Sequence, residues 1–177
     1  KGGCRLQISH HKIIHEYEGL SAETLRMMEE ARGRGIDVAC DVYPYTAGST
    51  LISVVLPTWA REGGVEKMLS RLENTVERER IKSDFLREIP GWDNFIKSAT
   101  YKKILISSSR NDKTLEGKTI QDVADERGID PSDAILDIMV SEKAEVTIVI
   151  DSQSDSDNRR ILSHELSMIG SDSLATA

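Results

Sequence analysis

Cysteine is scarce in this sequence. Cys4 and Cys40 are the only two among 177 residues, too few for a disulfide framework. Each falls in a predicted strand, where a buried free thiol is the ordinary reading. A reducing, cytoplasmic compartment is expected from that usage. Long apolar runs are missing too. The longest, Leu51 to Leu56, is broken by Ser53 and stopped by Pro57, far short of the roughly 20 residues a membrane-spanning helix needs. Basic excess is absent: 23 Lys and Arg stand against 30 Asp and Glu, a net charge of −7. Nucleic-acid and anionic-membrane surfaces both need a basic footprint, so neither partner is expected. The sequence shows no Walker or dinucleotide glycine loop, no Gly-x-Ser-x-Gly elbow, no close cysteine pairs, no repeats and no low-complexity tracts, and no signal peptide is expected from the pattern at its start.

What remains is 38% hydrophobic and 30% charged, the balance of a globular protein near the size of one domain. The pattern alternates strands with helices. Cys4 to Ser9 is a short apolar strand. Ser21 is a candidate cap for a helix carrying Leu25, Met28 and Ala31, which Gly33 and Gly35 stop. Ile36 to Tyr43 is the next strand, and a strand–helix–strand run of this length implies parallel pairing. Pro44 and Gly48 then turn Tyr43 to Thr50 into a loop, at the strand end where α/β folds hold ligands. Val65 to Leu86 reads as one long, charged amphipathic helix. Further on, Lys103 to Ser107 is a strand, Thr119 and Asp130-Pro131 start helices, and Glu145 to Ile150 is a strand. Asn158 to Glu165 is a short helix and Ser167 to Gly170 a last strand.

Few residues offer chemistry. His10 and His11 end the first strand, and neutral imidazole is the commonest metal ligand; on spacing alone, such a pair is more often structural. His15 and His164 have no partner pattern. Lys12 is either an anion-binding group or an ordinary exposed lysine. Ser49 and Thr50 either donate to a carboxylate or bond their own turn. Tyr43 and Tyr45 line a pocket or simply pack. Asp172 is a candidate base or metal ligand, or a turn cap.

Three pieces, in order, resemble the D-aminoacylase (N-acyl-D-amino-acid deacylase) family of the amidohydrolase superfamily. They are Gln7-Ile8-Ser9-His10-His11-Lys12, Asp41-Val42-Tyr43-Pro44-Tyr45-Thr46-Ala47-Gly48-Ser49-Thr50 and Met168-Ile169-Gly170-Ser171-Asp172. Leu56-Pro57-Thr58-Trp59-Ala60 and Leu115-Glu116-Gly117-Lys118-Thr119 add to the match, which is weakest between Ser70 and Lys103. The resemblance implies a metal-dependent (β/α)8 barrel of TIM type that hydrolyses N-acyl-D-amino acids to a carboxylate and a D-amino acid. By the same resemblance His10 is a zinc ligand, Lys12 and Ser49 hold the substrate carboxylate, and Asp172 is the catalytic aspartate. Zn2+ is implied as cofactor, one or two ions in a full-length parent.

The departures from the family shape the expectation. Its His-x-His pair, its bridging cysteine and a further strand histidine have no counterpart here. An arginine that the family places after its aspartate would fall past Ala177, and a whole barrel takes about 250 residues. The chain also opens on Lys1, without a Met. It is therefore expected to be a fragment, the C-terminal strands of a barrel with an α/β insertion. Residues 1–62 form a strand–helix–strand with His10 and Ser49, 63–145 a helical inserted region, and 146–177 the last strand with Asp172. Alone it is expected to be inactive, and to self-associate through exposed barrel edges. The alternatives are a dihydroorotase-like or hydantoinase-like cyclic amidase fragment, or a non-catalytic carboxylate-binding module.

Overall fold

The computed structural model describes residues 3–173. The elements begin with β1 (Leu6–Ile8), α1 (Ser21–Gly33), β2 (Val38–Val42), β3 (Ala47–Leu51), α2 (Thr58–Arg61), α3 (Val65–Glu73) and α4 (Thr75–Phe85). They continue with α5 (Phe95–Ala99), β4 (Ile104–Ser109), α6 (Ile120–Arg127), α7 (Pro131–Ser141), β5 (Val146–Asp151), α8 (Asp155–Leu162) and β6 (Ser167–Ile169). The chain divides into two compact units, Lys1–Ala47 with Ser152–Ala177, and Gly48–Asp151. It is an α/β protein, and no closed barrel forms among the described residues.

The first unit is built on a three-stranded sheet in the order β1-β2-β6, parallel throughout. Parallel pairing follows from the helix α1, which carries the chain from the end of β1 back to the start of β2. Val38, Cys40 and Val42 alternate along β2 and are buried. They meet Leu25 and Met28 of α1 and Ile161 of α8 in one apolar cluster. Ala39 and Asp41 point to the opposite face, as the two-residue period of a strand requires. Where the chain leaves this unit and where it returns are held together: the Thr46 carbonyl accepts the N–H groups of Ser152 (3.2 Å) and Gln153 (2.9 Å).

The second unit has its own sheet, β3-β5-β4, with β4 and β5 antiparallel. Ile104, Ile106, Val146, Ile148 and Ile150 face a core completed by Leu72, Phe85, Ile120, Ile135 and Met139. Thr119 caps α6 in a reciprocal box with Asp122, and Gly128, at φ 64°, ends it in the left-handed conformation that costs glycine least. Asp130 caps α7 ahead of Pro131, as the sequence predicts. Arg78 ties α4 to α7 through Asp133 (3.1 Å) and Asp137 (2.6 Å).

Several elements differ from the sequence reading. The single helix over Val65 to Leu86 is two, because Asn74 adopts an extended backbone and its side chain accepts the N–H groups of Val76 and Glu77, both at 3.1 Å. A side chain that competes for helical N–H groups ends one helix and starts the next. Residues 47–51, expected in a loop, form β3. Cys4 lies before β1 and is exposed, whereas Cys40 is buried as expected. Ser21 does not cap α1 with its side chain; it is the first helical residue, and its hydroxyl bonds Asp157 instead.

Candidate functional site

Three functional candidates in the first unit follow the carboxyl ends of parallel strands. His10 lies just past β1, Tyr43 just past β2 and Asp172 just past β6. The shared strand register makes this a single rim: Ile8 pairs with Cys40, Cys40 with Ser167, and the Gly170 N–H donates to the Val42 carbonyl at 3.0 Å.

On that rim the His10 Nε2 atom is 3.2 Å from Asp172 Oδ1, the two side chains being 43% and 41% exposed. The pair is open enough for a small molecule to reach. Both residues sit at φ 53°, a left-handed backbone that costs a non-glycine residue about 1–2 kcal/mol. His10 is held there by Asp41, whose Oδ1 accepts the His10 backbone N–H at 2.9 Å and whose Oδ2 accepts Gln7 Nε2 at 3.0 Å. The hydrogen bond from the His10 N–H, then that from Gln7, keeps the Asp41 carboxyl below its usual range.

Lys12 is the second grouped residue. Its ammonium donates to Tyr43 Oη at 3.0 Å and lies 5.2 Å from the centre of the tyrosine ring. Tyr43 is 3% exposed and also receives Gln153 Nε2 at 3.1 Å. Two donors on one phenol oxygen use both of its lone pairs, so the hydroxyl proton is left to point away from them. The Tyr43 ring is 5.9 Å from that of His10 and 5.8 Å from that of Tyr45, on which it stacks. The structure thus brings His10, Lys12 and Asp172 to one rim, around Tyr43. Ser49 belongs to the other unit, exposed on β3.

His11 has the opposite fate from its neighbour. It is buried, with Nε2 2.9 Å from Thr24 Oγ1 and Nδ1 without a hydrogen-bond partner. Burial, then the nearby His164, pushes its pKa down, so the ring is neutral at pH 7. It is a core residue and not a ligand at the rim. Asp41, Gln7 and Gln153 were not singled out by the sequence; their roles are hydrogen bonds across 31 to 110 positions, and no local pattern marks them.

The donor chemistry of the rim suits zinc, but only in part. An imidazole and a carboxylate are ordinary zinc donors, and a catalytic zinc takes three protein ligands. Among the described residues no group of three or more His, Cys, Asp or Glu side chains is placed to hold a metal ion. His10 and Asp172 therefore do not complete a zinc site by themselves.

No family model matches this sequence. Two curated proteins of Alcaligenes xylosoxydans xylosoxydans do match over short stretches. An N-acyl-D-glutamate deacylase is 45% identical over 51 residues, 28% of this chain and 10% of that one. A D-aminoacylase is 50% identical over 46 residues, 25% of this chain and 9% of that one. Among solved structures, the N-acyl-D-glutamate deacylase of Bordetella bronchiseptica, complexed with zinc and a phosphonate inhibitor, superposes with a TM-score of 0.62 at 24% identity, over 96% of this chain and 26% of its own. A D-aminoacylase described as defining a novel subset of amidohydrolases gives 0.60 at 25% identity, over 95% and 26%.

The chain resembles the D-aminoacylases. The likeness of fold runs through nearly all of it, while the chain spans only about a quarter of those solved proteins and about a tenth of the curated relatives it matches. Another D-aminoacylase of this group, with a TM-score of 0.61 at 24% identity, has a binuclear metal centre. No helix among the described residues is long and apolar enough to cross a membrane.

Proposed function

We propose that this chain is a segment of a zinc-dependent hydrolase that deacylates N-acyl-D-amino acids. The observation that carries this reading is the His10–Asp172 pair, 3.2 Å apart on a rim of parallel strand ends. The D-aminoacylase resemblance gives the same two residues their roles. In this reading β1, β2 and β6 are strands of a partial (β/α)8 barrel, and the intervening residues are an α/β insertion.

The residues divide the work by their chemistry. Asp172 takes the proton of the attacking water and delivers it to the leaving amide nitrogen, the two halves of general base and general acid catalysis at one carboxylate. Lys12 supplies positive charge for the substrate α-carboxylate. Fixing the carboxylate and the amide together selects one enantiomer, because the D and L forms cannot place both groups alike. Zinc, when bound, would lower the pKa of its water to roughly 7, and His10 would offer it one imidazole. The substrate is a small molecule. A cytoplasmic setting suits two unpaired cysteines, and the outer edges of β1 and β6 are where the segment self-associates when alone.

The test is release of free amino acid from N-acetyl-D-glutamate and its L enantiomer by the full-length gene product with zinc, beside the 177-residue chain. Hydrolysis of the D form by the full-length protein, lost in Asp172→Asn, supports the reading. Turnover of neither enantiomer, or of a cyclic amide instead, overturns it. Turnover by the short chain overturns its assignment as an inactive segment.

A further inference from the structure

We propose that Asp41 is a positioning residue: it captures the two backbone N–H groups that flank the turn at His10, and so aims the imidazole at Asp172. The strand β1 ends at Ile8, so the N–H groups of His10 and His11 lie past its last paired residue. One residue answers both. The Asp41 carboxylate accepts from His10 at 2.9 Å, and its backbone carbonyl accepts from His11 at 2.8 Å. Between these two anchors His10 is forced to φ 53°, a conformation that a histidine adopts rarely and that persists only when its surroundings over-determine it. The second carboxylate oxygen is occupied by Gln7 Nε2 at 3.0 Å, which stops the carboxylate from rotating away.

The direction of the two neighbouring histidines follows from this clamp. Past the clamp, His11 enters the buried side at Thr24, while His10 stays on the open side with its Nε2 at 3.2 Å from Asp172. Without the carboxylate, the His10 N–H loses its partner, and the bond from the His11 N–H to the residue 41 carbonyl is left as the single anchor of the left-handed turn. Asp41 touches neither Asp172 nor any group that would contact substrate in the reading above. It acts through the His10 backbone.

The inference rests on the proposed hydrolase only for its catalytic meaning, and its test is structural. Nuclear magnetic resonance of the intact 177-residue chain reads it directly, since a positive φ gives a strong cross-relaxation peak between a residue's own amide and α protons. In the unmodified chain, His10 is expected to show that strong peak and slowed amide exchange. Asp41→Ala is expected to lose both, together with any contact between the His10 ring and Asp172, while Cys40 and Leu25 in the core keep their shifts. Asp41→Asn is expected to restore them, because its amide oxygen accepts from His10 and the Gln7 amide turns to accept its new donor. An unchanged His10 in Asp41→Ala overturns the proposal. Should Asp41→Ala not fold, the unmodified chain decides, and a weak His10 peak with fast amide exchange overturns it. A failed deacylase assay leaves these signals untouched, so the two readings stand or fall separately.

Discussion

The imidazole of His10 and the carboxylate of Asp172 meet at 3.2 Å, although 161 positions separate them, because β1 and β6 flank β2 in one parallel sheet. Exposed to about two-fifths, this pair contributes little to folding; surface ion pairs are worth about 0–1 kcal/mol. Asp172→Asn is therefore expected to leave the melting temperature of the chain nearly unchanged. On the proposed hydrolase reading, the same change in the full-length protein is expected to lower kcat by about 100-fold or more, the usual loss when a general acid–base group is removed. Thermal unfolding and steady-state kinetics on the matched pair of variants check both halves.

Asp157 is the opposite case, a carboxylate whose value is structural. It is 1% exposed and receives Gly19 N–H at 2.8 Å, Ser21 N–H at 3.3 Å and both the Ser21 and Ser154 hydroxyls. Burial raises its pKa, but the hydrogen bonds from Gly19, Ser21 and Ser154 outweigh it and hold the carboxyl at about 2, from an ordinary 3.8. A depressed folded pKa stabilises fully above the unfolded value and is lost as pH falls through the folded one. Stability is expected to drop by roughly 2 kcal/mol between pH 5 and pH 2 on this account. Asp157→Ala is expected to cost about 3 kcal/mol at pH 7 and to flatten that slope, as urea titrations across the range would read.

His11 sets a second pH window. Its pKa in the fold lies below the ordinary 6.5 because it is buried, so protonation favours the unfolded chain. The stabilisation is complete above about pH 6.5 and is lost as pH falls from there through the folded value. His11→Leu is expected to remove this slope below about pH 6.5 while leaving the one of Asp157. Denaturation curves of the variant at half-unit steps in pH separate the two.

Asn74 predicts a local effect. Its side chain satisfies two N–H groups at the start of α4, and replacing such a cap by alanine costs about 1 kcal/mol. Asn74→Ala is expected to lower stability by that amount, whereas Asn74→Asp holds it. Denaturant midpoints for the two variants decide.

The legible parts of this fold were those with a local signal. The alternation of Val38, Cys40 and Val42 marks a half-covered strand, and Asp130-Pro131 marks a helix start. β3 had no such signal: Ala47-Gly48-Ser49-Thr50 has low strand propensity, and its pairing with β5 comes from about a hundred positions away. Asn74 was hidden inside a regular apolar spacing, where one cap outweighs the periodicity around it. At the rim, His10, Lys12 and Asp172 were found through motifs that resemble a family. Asp41 lay inside one of those motifs, yet its role was invisible because it acts on the backbone of another strand. The sequence around Tyr43 fits both packing and a pocket, and the Lys12 and Gln153 groups that donate to its oxygen explain why it is both buried and at the rim.

The Thr46 carbonyl, which bonds both Ser152 and Gln153, makes residues 48–151 a parenthesis in the chain. The points of departure and return are already neighbours, so closing them with a short turn asks for little further loss of chain freedom. The first unit can then be read as one uninterrupted sentence, β1-α1-β2-α8-β6, in which the longest connection is optional. Length added or removed inside that parenthesis is free to vary without moving the strand ends that carry His10 and Asp172.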